Sequence, residues 1–449
     1  MRVHDSFRVL APALVCGAVG CFVYSSTPAV APAGGAGASG SMARPEPEAV
    51  TAAPALAGAA PPAAMRLVRI VAWSISPYSP RPAWPLSLPA APAAKRTRGG
   101  PAYPAPGASP GPSWLMGASS PDPAWSPDGT RVAFHDGYCI SIRRADGSFE
   151  RGLSAGGLTG DERRDSCRSP RWSHDGRSIV AGNYFYGGPA LLVDVAGKRT
   201  TPLRPRDDGL WSVSFAPGDH YVIGRVHQTG VVLVAVDAPG RPFALVSDEA
   251  PAMKGFFPSI SPDGRWAVRL AADWGDGDAA AAKPARLEIV ALDLAHPRYG
   301  SVPDPWDFKG HGPYDTIVAD HAAWIDARAG VPVEHAWSPD ARRLVYVESS
   351  WYPGYDGYEY PDGDLVVVDA GSWRPRALGV RGRNPSWSPD GKWIAFDRGP
   401  GGGLWVVDAS GRGAKMLVPD GVEPRWAPDG AHILYQHTWD RVLCVLELG

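Results

Sequence analysis

Pro385-Ser-Trp-Ser-Pro-Asp-Gly391, continued by Lys392-Trp-Ile-Ala-Phe396, decides how this chain is read. In its Ser-Pro-Asp-Gly core, proline presets φ at about −65° for the second place of a turn. Asp tolerates the third place, and Gly accepts the left-handed conformation that closes it. The flanking Trp387 and Ile394-Ala-Phe396 are strand-forming residues, so the whole stretch reads as a tight hairpin. The spelling recurs in Pro123-Ala-Trp-Ser-Pro-Asp-Gly129, Pro170-Arg-Trp-Ser-His-Asp-Gly176, Ser212-Val-Ser-Phe-Ala-Pro-Gly218, Pro258-Ser-Ile-Ser-Pro-Asp-Gly264, His335-Ala-Trp-Ser-Pro-Asp-Ala341 and Pro424-Arg-Trp-Ala-Pro-Asp-Gly430. Successive copies start 39 to 50 residues apart, except for the 77 residues between Pro258 and His335.

After each turn comes an apolar second strand such as Arg131-Val-Ala-Phe134 or Leu344-Val-Tyr346, then a third such as Leu191-Leu-Val-Asp194 or Leu365-Val-Val-Val368. A weaker fourth, for instance Phe243-Ala-Leu-Val246 or Lys415-Met-Leu-Val418, leads into the next copy. No single hairpin can cover its own apolar faces, so repeats of this length have to stack. The expected fold class is all-β, a seven-bladed β-propeller of four-stranded antiparallel blades. The pattern Pro-x-Trp-Ser-Pro-Asp-Gly-x-x-(Ile/Val)-Ala-(Phe/Tyr) resembles the WD40-like repeats of the TolB propeller. Similar repeats form the propeller domains of prolyl-oligopeptidase-type peptidases and of oligogalacturonate lyases. The resemblance covers residues 119–449 and speaks to fold, since one fold hosts many functions.

Residues 1–25 read as an export leader. Arg2 and Arg8 precede an apolar stretch, Val9–Tyr24, which is short for a membrane span and suited to a signal-peptide core. Ala18-Val19-Gly20-Cys21 resembles a lipobox, which makes Cys21 the lipidation candidate. Ala31-Pro32-Ala33 offers ordinary signal-peptidase cleavage instead, and an uncleaved anchor is the third alternative. The expected location is periplasmic, cell-surface or secreted. Residues 26–118, rich in Ala, Pro and Gly, read as an extended linker. One island, 66–73, alternates as a strand does; it is the expected missing fourth strand of the last blade, because an open propeller edge invites aggregation.

Composition narrows the function classes. The net charge of −2 gives no basic field for nucleic acid. The five Cys include no Cys-x-x-Cys pair, so no zinc framework is expected, while Cys139 and Cys167 could form a disulfide after export or stay as thiols. No hydrolase domain follows the repeats, so a peptidase of the oligopeptidase type is not expected. Gly399–Gly403 lacks the Lys-(Ser/Thr) of a nucleotide loop and reads as a flexible connection.

In a blade the first-to-second and third-to-fourth turns share one face, here the turn face. The second-to-third and inter-blade connections share the other, here the loop face, and long segments there mark a binding surface. Ser350–Tyr360 gathers Trp351, Tyr352, Tyr355, Tyr358 and Tyr360, amphipathic aromatics suited to peptide or sugar, or else a loop folded over itself. The long step contains an insertion at about 296–332 with Trp306, His311, Tyr314, His321 and Trp324; it is expected either to cap the channel or to be a variable excursion. The chain is therefore expected to be a monomeric module binding an envelope protein, peptide or glycan, with neither cofactor nor catalytic residues. The alternative is a metal-assisted polysaccharide lyase of the oligogalacturonate type. The resemblance implies propeller histidines as its metal ligands, and His135, His227 and His437 are the residues that could fill that role.

Overall fold

The computed structural model describes residues 67–74, 122–135, 140–153, 167–183, 190–196, 199–203, 210–226, 230–240, 242–247, 256–271, 286–302, 314–327, 331–349, 362–437 and 442–449. By contacts the chain divides into Met1–Leu56 and Ala57–Gly449, and every described residue lies in the second unit. Among them each regular element is a strand.

The strands pair into successive four-stranded antiparallel ladders, each opened by one copy of the motif. Blade 1 spans 124–153 and blade 2 spans 167–203, and each is a separate sheet in simple sequence order. Blade 3 follows over 210–247. Blade 4 takes three strands from 256–291 and its fourth from the second half of Tyr314–Asp326. Blades 5 and 6 share the strand Pro375–Trp387, which ends one ladder and begins the next. That crossing occurs at Gly382, where a Cβ would collide with the Phe396 ring and lie 2.7 Å from the Asp397 carbonyl. Blade 7 runs from Gly421 to Leu448, and its outermost strand is Leu67–Ser74, antiparallel to Val442–Leu448 with Ile70 opposite Leu446.

Apolar residues of adjacent blades interdigitate, as stacked sheets must to exclude water. Ile140, Ile142, Trp172, Ile179 and Leu191 join blades 1 and 2. Val132 and Phe134 pack on Leu434, Leu443 and Val445, joining blade 1 to blade 7. The motif tryptophan adds a polar clasp. Trp125 Nε1 donates to Arg425 O (3.0 Å), Trp172 Nε1 to Ala124 O (3.2 Å), and Trp387 Nε1 to Ala336 O (3.0 Å). Each reaches the residue just before the tryptophan of the preceding blade.

The turn has its own lock. The Ser126 hydroxyl donates to Asp128 Oδ1 (2.5 Å) and accepts from Arg131 N (2.9 Å). Ser173, Ser261, Ser338 and Ser388 repeat the arrangement, and all five serines are buried. Burial pushes the Asp128, Asp340 and Asp390 carboxyls up, but bonds from the serine and the following main chain outweigh it and hold them below the usual range. In the third copy the turn bond runs from Asp219 N to Ala216 O. Its register is therefore one residue later than its spelling suggests: Phe215 stands where five of the other copies have tryptophan and the fourth has Ile260, and Asp219, at φ 61°, takes the closing glycine's place.

Candidate functional site

The first strand of every blade after the first carries a register shift just ahead of its motif. At the residue immediately before the motif proline, or its equivalent, Asp122, Ser169, Ser212, Glu334, Asn384 and Glu423 all have positive φ, from 34° to 56°. A bulge re-aims a side chain, and in blades 2, 3, 5, 6 and 7 the shift coincides with positive φ at a polar residue.

Contacts with both neighbouring blades place Asp122 at the axis. Asp122 of blade 1 accepts from Arg171 Nη2 of blade 2 (3.0 and 3.1 Å) and from Arg425 Nη2 of blade 7 (3.2 Å). A side chain that meets both neighbouring blades through their first strands sits where those strands converge. Burial raises the Asp122 carboxyl, yet Arg171 and Arg425 together with hydrogen bonding hold it far below the usual carboxylate range. Glu334 Oε2 accepts from Asn384 N (2.6 Å), linking blade 5 to blade 6, and Asp397 Oδ2 accepts from Glu423 N (2.9 Å), linking blade 6 to blade 7. Glu334 is pushed up to about 7, chiefly by burial, with the Asn384 amide pulling down and Asp397 pushing up. The adjacent His335 is lowered to about 4 by burial and lies 2.8 Å from Ser259 Oγ of blade 4.

From this ring the charge continues onto the loop face of blades 5 and 6. Asp397, fully buried, accepts from Arg383 Nε (2.8 Å), Asn384 Nδ2 (2.9 Å) and Gly399 N (2.9 Å). Beside it, Arg381 donates to Asp362 O (2.6 Å) and Arg398 Nε donates to Arg381 O (3.1 Å). The Arg398 guanidinium lies 4.0 Å from the centroid of the Trp405 ring, whose Nε1 is fixed to Gly402 O (2.8 Å). Three charged glutamate or aspartate neighbours would be needed to saturate these arginines, and among the described residues only Arg383 has one at ion-pair distance. Burial raises the Asp362 carboxyl, with the nearby Arg383, Arg381 and Arg398 charges pulling it down and Asp397 pushing it up.

The residues expected from sequence fare differently. Trp351, Tyr352, Tyr355, Tyr358, Tyr360, Trp306, His311, His227, Cys139 and Cys21 lie outside the described residues. The insertion was read as either a cap over the channel or an excursion between blades, and its described strands lie in the sheets of blades 3 and 4. Arg298–Val302 and the first half of Tyr314–Asp326 extend the outer edge of blade 3, and the second half completes blade 4. The apolar alternation Ile317, Ala319 needs a sheet edge to cover it, and blade 3 provides one. Tyr314 begins that outer strand. His321 and Trp324 stack at 5.1 Å on its later half, with Arg286 over Trp324 at 3.7 Å. His321 Nδ1 lies 3.5 Å from Glu288, a buried carboxylate paired with Arg269 and hydrogen-bonded by Ser247.

His135 is buried at the end of the second strand of blade 1, and His437 stands half-buried in blade 7. Among the described residues no group of three or more His, Cys, Asp or Glu is arranged to hold a metal ion. The letters Gly-x-Ser-x-Gly occur at 107–111 and 152–156. The second begins inside the strand Phe149–Leu153, and the serines of both lie outside the described residues.

With this geometry in place, the comparisons with solved structures decide the architecture. A chain titled Kuenenia stuttgartiensis hydrazine synthase superimposes with a TM-score of 0.51 at 12% identity, covering 72% of this chain and 94% of that one. The β-propeller domain of Myceliophteria thermophila Cps50 (Swd1) gives 0.50 at 11% identity, covering 74% and 97%. This chain is a β-propeller. Such low identity carries the fold alone. No family model and no curated protein matches the sequence. Sequence reasoning missed the axial ring and the arginine cluster. A usable signal was there, because the residue before the motif proline is polar in Asp122, Ser169, Asn384 and Glu423.

Proposed function

We propose that this propeller is an exported binding module of the TolB-like repeat type, and that its ligand sits on the loop face over blades 5 to 7. The observation that carries this reading is an asymmetry between the two faces. On the turn face the polar groups are consumed in serine–aspartate locks that close each hairpin on itself. On the loop face, Arg381 and Arg398 are held in place by carbonyl oxygens and a tryptophan rather than by carboxylates. Orienting cations through neutral contacts serves recognition rather than folding. The aromatic segment Ser350–Tyr360 precedes the third strand of blade 5 in sequence and lies outside the described residues; we assign it the apolar part of the ligand contact.

A peptide and glycan array probed with the full chain tests this. Replacing 350–360 by a short Gly-Ser connection is expected to abolish captured binding, while Arg177→Ala and Lys392→Ala on the turn face leave it intact. Binding that follows the turn-face changes instead would overturn the assignment. Export is checked by mass spectrometry of the mature N-terminus, where a lipid-modified Cys21 or cleavage after Ala33 is expected.

A further inference from the structure

We propose that Arg381 and Arg398 form a receptor for the side-chain carboxylates of an acidic peptide; this rests on the loop-face reading above and names its ligand chemistry. Both guanidiniums are anchored through one edge only. Arg381 spends Nη2 on Asp362 O, and Arg398 spends Nε on Arg381 O while its plane rests on Trp405. No carboxylate lies within ion-pair distance of either among the described residues. The rotamer entropy that normally weakens an arginine contact has thus been lost in folding, before any ligand arrives. The remaining planar fork matches a carboxylate in a two-bond arrangement. Arg381 is exposed and Arg398 half-buried, so a ligand can reach both.

Two other anion chemistries fit less well. A phosphate site at a glycine-rich loop uses free main-chain amides. Here Arg398 N is bonded to Gly403 O, Gly399 N to Asp397 and Gly402 N to Gly399 O, so these amides already have partners. A uronic-acid sugar is usually held on an open aromatic face. The Trp405 ring at this place is covered by Arg398.

The test is fluorescence anisotropy of the full chain with a fluorescein-labelled hexapeptide of alternating aspartate and glutamate, at low salt. Saturable binding is expected, lost on replacing the acids by their amides and weakened about tenfold by Arg398→Gln or Arg381→Gln. Arg381→Gln touches no ring and guards against misfolding, and circular dichroism checks both variants. No binding by the wild type, equal binding of the amide peptide, or variants that bind unchanged would each overturn the proposal. Tighter binding of a phosphoserine hexapeptide or an oligouronate would also overturn it. If the arginine variants bind unchanged while replacement of 350–360 abolishes binding, this inference fails and the loop-face reading stands; if neither change matters, both fail.

Discussion

Trp125 Nε1 donates to the main-chain oxygen of Arg425 at 3.0 Å, joining residues 300 positions apart and closing blade 1 on blade 7. The same bond, made by Trp172 and Trp387 between other blades, shows that the motif tryptophan is an inter-blade clasp as well as a strand residue. Trp125→Phe keeps the ring and removes the donor, and is expected to cost about 1 kcal/mol. Trp125→Ala also opens a cavity and is expected to cost about 3 to 5 kcal/mol. Urea unfolding measures both; equal costs would mean that the bond contributes nothing.

The N-terminal strand is the second closure. Removing Leu67–Ser74 leaves Val442–Leu448 as an unpaired apolar edge. The shortened chain is expected to melt well below the intact one and to scatter light on warming. An unchanged melting temperature would show that this pairing contributes nothing in solution.

Arg269 and Glu288, fully inside the contact of blades 3 and 4, form an ion pair that Ser247 supports. Removing one partner strands a charge in a dry place, so Arg269→Met or Glu288→Leu alone is expected to cost about 3 to 5 kcal/mol. Replacing both is expected to recover most of that loss. Additive losses in a double-mutant cycle would contradict this account.

Glu334 and His335 oppose each other in pH dependence. Glu334, raised to about 7 from an ordinary value near 4.5, binds a proton in the folded state that the unfolded chain gives up, so its contribution falls as pH rises from about 4.5 to 7. His335, lowered to about 4 from 6.5, is neutral in the fold where the unfolded chain is charged, so its contribution rises from about pH 4 to 6.5. The two slopes nearly cancel in the wild type. Glu334→Gln is expected to unmask a rise in melting temperature across pH 4 to 6.5 and to stabilise the protein above pH 7. His335→Asn is expected to unmask a fall between pH 5 and 7. Parallel profiles for both variants would refute the assignment.

Ser388 tests the turn lock. Ser388→Ala removes the bonds to Asp390 and to Trp393 N and is expected to cost about 1 to 2 kcal/mol. Ala427 already holds this place in blade 7, and its main-chain bond to His432 O persists, so the fold itself should survive. Loss of folding would mean that the hydroxyl is indispensable rather than supportive.

The hairpin and the strand order within each blade were legible in the sequence because both are local: proline, aspartate and glycine set a turn, and alternating apolar residues set its strands. The value of Leu67–Ser74 as a strand was legible for the same reason. The third copy misled by one residue, since Asp219 can take the left-handed conformation that its spelling assigns to Gly218. The insertion was left with two readings, because strand periodicity gives no address, and only pairing with the edges of blades 3 and 4 places Tyr314–Asp326.

Local chemistry thus fixed the repeat, while the ring of Asp122, Glu334, Asn384 and Glu423 and the cluster of Arg381, Arg383 and Arg398 needed the assembled molecule. Their meaning lies in contacts across blades, between residues tens to hundreds of positions apart, such as Asp122 with Arg425. A charge in a sequence is ambiguous until the fold decides whether a carboxylate, a carbonyl or water faces it. Tertiary structure made that decision here, giving Arg383 a carboxylate and leaving Arg381 and Arg398 with carbonyl oxygens.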